Sequence, residues 1–458
     1  MKKYLEQQKE IPVIDEVDVL VVGGGPSGVG AAIGAAKTGA NTMVIEALSS
    51  FGGMWTNGLV ITLGGFNNWL RPYERNVDGV MGEWLVKAEK MGGAENSRSW
   101  VLDSDPEIMR VVADKMMEDY KVKCLLHTWF ADAIVEDNQI KGIIVENVDG
   151  RQAIMAKNII DCTGNGDVFA RAGVEFTHSQ EMQPMTLSFY FAEVEPNTHI
   201  KYEEEVLIPF GPEPGYLKGE LMKEWQSPRR DVDVDRVKMR ETHNKGEFPE
   251  YGGPWFGGLR ERFPWVNTTR MYANGVKAAE LTKAEMEGRK SAHQMIEYYR
   301  KEVPGFEKSW IMKTASTMGV RETRQLEGVY QLTGDDVVAC REFDDSIAMG
   351  SWPIDIHPGK GKSGQHDLYC PLPYQIPYRI MVPKTMDNLL IAGRCVCVDR
   401  EALGSIRVGA TCGAMGHAAG VAAALSAQSG TTVRDVDIKL VQQKLLEQNA
   451  IIDHSQAR

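Results

Sequence analysis

Val19 to Gly28 reads VLVVGGGPSG. Four apolar residues run into three glycines, then a proline, a serine and another glycine. Asp18 to Val22 is rich in β-branched residues and barely alternates, as a strand buried on both faces would. The residues after the turn, VGAAIGAAKTGA, are small and suit a helix. NTMVIEA then gives a second short apolar strand that ends at Glu46. Strand, glycine turn, helix, strand and acid together make a βαβ unit of about 30 residues that binds a dinucleotide. Gly23 permits the tight turn, Gly25 lets a pyrophosphate approach the backbone, and Gly28 lets the helix pack on the strand. The helix start offers N–H groups and a partial positive charge to phosphate. Pro26 and Ser27 lie in this turn and count with the cofactor contacts, as does Ala47. Glu46 is placed to accept hydrogen bonds from the adenosine ribose hydroxyls, and its charge disfavours a 2′-phosphate there.

The chain has 458 residues, room for two or three domains. Its formal net charge of −12 argues against a nucleic-acid surface, which needs clustered Lys and Arg. The first residues, MKKYLEQQKEIPVIDE, carry no apolar run behind the lysines. No signal peptide and no membrane span is therefore expected, and the expected location is the cytoplasm. Seven cysteines, an odd count, fit reduced thiols. Cys395-Val396-Cys397 and Cys412 lack the spacing of zinc or iron–sulfur ligands, so no metal is expected.

Three more stretches stand out. Gly52-Gly53, followed by Met54, comes directly after the second strand. Ile159 to Gly173, IIDCTGNGDVFARAG, is an apolar strand stopped by Thr163-Gly164, then Gly166-Asp167. Leu389 to Ala392 forms a strand reaching Gly393-Arg394; a loop follows, then a small-residue helix from about Val408 to Ser426. Between them, DPEIMRVVADKMMEDY predicts a helix with Asp105 as its cap and Pro106 in its first turn. Three strand-like runs come next, in CLLHTWFADAIVED, QIKGIIVENVD and RQAIMAKNIID, separated by DNQ and DG turns.

VVGGGPSGVGAA, DCTGNGD, GVRETR and IAGRCVCVDREALGSIRVG, in this order, resemble the FAD-dependent oxidoreductase family related to fumarate reductase and to glutathione reductase type 2 flavoproteins. The resemblance is weakest between about 195 and 310. It implies an α/β fold with a Rossmann-like FAD-binding domain, residues 1–175 and 386–458. A discontinuous second α+β substrate or capping domain would span 176–385. It implies that Gly52, Gly53 and Met54 run along the pyrophosphate and flavin, and that Thr163, Gly164 and Asp167 close over the adenosine. Gly393, Arg394, Ser405 and Val408 would complete the flavin site, with the last helix pointing its N–H groups at the pyrimidine edge. Many relatives have Gly-Asp where Gly393-Arg394 stands, and Asp399 is the candidate for that ribityl contact. FGGMWTNGLV lacks the redox cysteine pair of disulfide reductases, so that activity is not expected. With no second Gly-x-Gly-x-x-Gly unit, either a nicotinamide cofactor docks transiently, or electrons come from the substrate or another protein.

The middle of the chain is rich in aromatics, prolines and charges. YGGPWFGGLRERFPWVNTTR reads as a loop or hairpin, KAAELTKAEMEGRKSAHQMIEYYRKEV as a long amphipathic helix, and PLPYQIPYRIMVP as extended. Arg321 and Arg324 either clamp a substrate carboxylate or pair with Glu322 and another acid. Arg407, near Glu401, either stabilises the reduced flavin or makes a structural ion pair. His417 reads as a buried, satisfied histidine. His357 and His366 flank PGKGKSGQHD and read as surface-loop residues, with a lid as the other reading. Tyr374 and Tyr378 are weak acid–base candidates. The leading expectation is hydride transfer between a small organic substrate and flavin N5. An electron-transfer subunit with a redox partner protein is the alternative, and a flavin sensor a third. A homo-oligomer stays open.

Overall fold

The computed structural model describes residues 3–69, 74–95, 101–179, 181–195, 215–217, 232, 234–260, 262–363 and 368–457. His366 lies outside the described residues.

The first strand is longer than expected, Val13–Val22, and lies inside a seven-stranded sheet. Thr42–Ile45 and Gly150–Asp161 flank it, both parallel to it. Lys123–Leu125 extends the sheet beyond Thr42–Ile45. Gly150–Asp161 is 12 residues long, and it divides its far edge between two partners. Its first half pairs antiparallel with Gln139–Asn147, which turns back into Trp129–Glu136 as the DNQ and DG signals predict. Its last three residues pair parallel with Leu389–Ile391. A strand from late in the chain therefore ends beside Cys162-Thr163-Gly164. That register is what carries Gly393-Arg394 to the same sheet end as the first glycine turn.

Behind the sheet, Pro26–Lys37 crosses Gly409–Ser429 at very close range. The glycines explain how. A Cβ on Gly416 would lie 2.0 Å from the Ser27 carbonyl oxygen, and one on Gly420 2.1 Å from that of Ala31. Each helical glycine costs about 1 kcal/mol relative to alanine, a cost offset by backbone contact between the helices. The expected loop before the last helix contains a short helix of its own, Arg400–Ile406. No single helix among the described residues is long and apolar enough to cross a membrane. The pair Arg400–Ile406 and Gly409–Ser429 passes that test only together, across a 93° bend, and both are largely buried in the core.

A second, four-stranded antiparallel sheet has the order Tyr251–Gly257, Trp265–Thr269, Phe189–Ala192, Trp310–Thr314. The tryptophan-rich stretch thus forms the hairpin. Ala278–Glu302, the expected long helix, turns Ala292, Met295, Ile296 and Tyr299 onto an aromatic core with Phe189, Phe191 and Phe256. Phe191 meets Tyr299 and Phe306 edge-on. A separate apolar cluster joins Leu59 and Ile61, from the stretch after the second glycine pair, to Met185, Leu187, Trp265 and Met318 around the second sheet. The core of the large sheet also takes in Leu326, Ile347, Ala348, Ile376 and Tyr378, from the stretch the sequence assigns to the second unit. PLPYQIPYRIMVP is extended only at Tyr374–Pro377; a 3₁₀ turn, Tyr378–Met381, follows Pro377.

Candidate functional site

The glycine-bearing bends meet. A Cβ on Gly53 would lie 2.8 Å from the Gly25 Cα, and one on Gly393 3.0 Å from Ser27 Oγ. A Cβ on Gly23 would lie 2.5 Å from the Cys162 carbonyl oxygen. Gly23, Gly52, Gly53 and Gly393 also have positive φ, so a side chain there would be strained as well as crowded. Gly25 differs: the nearest atom to a Cβ there is 4.0 Å away, which leaves its face open for a ligand. Gly52 N–H donates to the Gly24 carbonyl at 2.8 Å and locks the second glycine pair onto the first turn. Met54 reaches the far side, where its sulfur lies 3.9 Å from where a Gly319 Cβ would be.

The helix ends at this junction are chemically distinct. Of the ten α-helices among the described residues, eight have a side-chain cap or an acid in the first turn. Pro26–Lys37 and Gly409–Ser429 have neither. A helix start leaves N–H groups without partners and carries a partial positive charge, and here neither the cap residue nor the first turn supplies a side chain to answer it. These are the two helices expected to face the pyrophosphate and the flavin, and Val408 is the cap position of the second.

Glu46 ends the second strand as expected. Its carboxylate accepts from Gly24 N–H at 2.6 Å and from Leu48 N–H at 2.8 Å. Burial holds its pKa above the ordinary glutamate value. Each oxygen keeps a further lone pair for a hydroxyl. Ala47 follows it.

Asp161, which the sequence reading passed over, organises the DCTGNGD loop. One of its oxygens accepts from Thr163 N–H and Oγ1, the other from Val168 and Phe169 N–H, at 2.7–3.1 Å. Burial raises its pKa to about 6. The signal was available, since an acid ending a strand before Thr-Gly is placed to cap the next turn. Thr163 Oγ1 in turn accepts from Asp167 N–H at 3.0 Å. Gly164 lies under the Arg394 guanidinium, which donates to Asn165 Oδ1 at 2.6 Å and to the Val320 carbonyl. Arg394 therefore ties the loop after Asp161 to the GVRETR segment. Asp399 caps Arg400–Ile406 through Ala402 N–H at 2.8 Å, and its other oxygen accepts from Gly334 N–H at 2.9 Å. Ser405 is buried and shares a 2.5 Å hydrogen bond with Tyr374 OH.

The two arginines of GVRETR diverge. Arg324 donates to Asp167 Oδ1 and to the Asn165 carbonyl, both at 2.9 Å, and its guanidinium lies over the Phe176 ring. Arg321 turns the other way, to the Pro184 carbonyl at 2.6 Å and Thr186 Oγ1 at 2.8 Å. Arg270, absent from the sequence reading, reaches the same Thr186 hydroxyl at 2.7 Å. Arg407 donates to the Asp355 carbonyl at 2.6 Å and to its carboxylate at 3.2 Å. Burial and the neighbouring arginines hold Arg321 well below the usual arginine range. Burial likewise brings Arg270 down to about 10. Nothing in the spacing of residues 270, 321, 355 and 407 marks them as neighbours.

The remaining candidates settle elsewhere. His417 is buried, with Nε2 2.8 Å from Gln448 Oε1 and its pKa pushed down to about 4 by burial. His357 corrects the surface-loop reading: it is 5% exposed, its N–H donates to Gln183 Oε1, and its ring packs edge-on against Trp255. Tyr378 OH donates to the Val433 carbonyl.

The residues present fit FAD: an open glycine turn, two helix starts without a capping side chain or an acid, and a buried glutamate at one sheet end. Comparison with known proteins agrees. Residues 18–445 match the family described as FAD dependent oxidoreductase. Thiamine thiazole synthases from Pyrococcus horikoshii and Methanococcus vannielii are 30% and 31% identical over 160 and 159 residues. Those matches span 33% of this chain and only 58% and 57% of the relatives' own lengths. A geranylgeranyl bacteriochlorophyll reductase-like protein from Thermoplasma acidophilum has the same fold, with a TM-score of 0.50 at 14% identity, over 95% of this chain and 84% of that one. The chain belongs to the FAD dependent oxidoreductase family, and FAD is its cofactor.

Proposed function

We propose that this enzyme transfers a hydride between a small organic substrate and FAD, with the substrate held at the seam between the two sheets. The observation that supports this is the meeting of two uncapped, acid-free helix starts with three glycine bends, next to a buried cluster of polar side chains. FAD, when bound, supplies a ring that takes up or gives back two electrons and a proton. The chain's own groups do the rest. Glu46 and the first turn fix the adenine end. The start of Gly409–Ser429 sets a positive field where negative charge gathers on reduction. Arg407, at the end of Arg400–Ile406, adds to that field. Thr186, Gln183 and Arg321 line the seam and orient what enters it. Arg394 and Arg324 hold the loop after Asp161 in place.

Purified protein is expected to be yellow, and to bleach anaerobically with one class in a panel of alcohols, amines and organic acids. Protein that takes up FAD but is bleached by none of them overturns the proposal. Turnover that appears only on adding a redox protein points instead to an electron-transfer subunit.

A further inference from the structure

The seam holds more positive charge than it balances. Arg270 and Arg321 both donate to one neutral oxygen, Thr186 Oγ1, which also donates to the Thr269 carbonyl and is thereby saturated. Their other partners are carbonyl and amide oxygens. Among the described residues neither has a carboxylate within ion-pair distance. Asp355 is shared instead by Arg407, at 3.2 Å, and His357, at 3.5 Å. Arg270 is 3% exposed, and its Cζ lies 5.2 Å from the centroid of the Trp255 ring. Its Nη2 is buried and has no hydrogen-bond partner. The Arg407 Nε is likewise buried and without one.

Asp355 acts on Arg270 and Arg321 only from beyond ion-pair distance; a buried charge so weakly balanced is costly, and an unmade hydrogen bond adds to that. A fold keeps such a cost where a ligand removes it. The planar fork of arginine matches the two oxygens of a carboxylate.

We infer that Arg270, Arg321 and Arg407 form a substrate anion site, and that the substrate is a small organic acid whose carboxylate binds there. This rests on the proposed function, since it names the class of substrate that the seam admits. Arg270 is thereby a substrate-binding residue from the second sheet, and it joins the cap to the cofactor layer through the bound anion.

The test uses FAD-loaded full-length protein and malonate as probe, with its neutral isostere malonamide as control at matched ionic strength. Thermal stability and tryptophan fluorescence are read together, because Trp255 reports on Arg270 directly. Malonate is expected to raise the melting temperature and to shift the fluorescence, and malonamide to do neither. Arg270→Gln and Arg321→Gln are each expected to weaken malonate about tenfold or more, as loss of a charged hydrogen bond does, while bound flavin absorbance is unchanged. Should either variant fail to fold, the wild-type contrast of malonate with malonamide decides alone. Wild-type protein that responds to both equally, or variants that bind malonate as well as wild type, overturn the site and leave the redox reading standing. Malonate binding together with bleaching by alcohols or amines but by no carboxylate overturns the organic acid as substrate and leaves the redox reading standing; malonate binding with bleaching by no member of the panel leaves the anion site standing and overturns the redox reading.

Discussion

The two halves of the site are built from different materials. On the cofactor side, recognition is main chain: glycines at Gly23, Gly25, Gly53 and Gly393, and helix starts that no acid caps. On the seam side the proposed recognition is side chain: Arg270 at a strand end and Arg321 in a turn share one threonine, and Arg407 at a helix end is held by Asp355. The first arrangement is rigid, because backbone touches backbone and nothing can rotate away. The second stores uncompensated charge, because guanidinium groups are held where water does not reach. Main chain suits a fixed ligand that never leaves; buried charge suits a ligand that must be chosen and released.

The strongest blow to the cofactor side is Gly28→Val. A Cβ there would sit 1.8 Å from the Gly23 carbonyl oxygen. Destabilisation of about 3 kcal/mol, the upper end for overpacking, is expected in a denaturant melt, together with loss of bound flavin. If flavin content held, backbone contact would not be what makes the turn.

Acid sharpens the comparison next. His417 packs where the two cofactor-side helices cross, and its folded pKa of about 4 lies below the ordinary value of 6.5. The unfolded chain therefore binds the proton more readily. Stability is fully present above pH 6.5 and falls as pH drops from 6.5 toward 4, by about 3 kcal/mol for this group. His417→Gln should flatten that part of the stability–pH curve. A slope unchanged in the variant would assign the acid sensitivity to other groups.

The mildest change separates the two arginines of GVRETR. The Arg324–Asp167 pair is partly exposed, with Asp167 at 41%. Arg324→Gln is expected to cost no more than about 1 kcal/mol and to leave malonate affinity as it was, in contrast to Arg321→Gln. Equal losses from the two would dissolve the distinction drawn between them.

What was legible follows the same division. The βαβ unit, the Asp105 cap on Pro106–Asp119 and the strand meander all declare themselves in residues close together in the chain. Asp105 does accept from Glu107 and Ile108 N–H. Asp399 shows the limit of local reading. An acid just before REAL can cap a helix or wait for a ligand hydroxyl, and only the fold shows that it caps Arg400–Ile406 and also accepts from Gly334 N–H. His357 looked exposed because its neighbours are glycine, lysine and proline, yet the turn of the chain after Ile354–Asp355 buries it.

The sequence by itself determined that a dinucleotide lies against bare backbone, because a tight turn, a close helix and a ribose acid must sit within a few residues of one another. Only the tertiary structure decided which charges come together at the seam. Arg270, Arg321, Asp355 and Arg407 become neighbours through strand pairing and helix packing, and no local rule of spacing reaches that far.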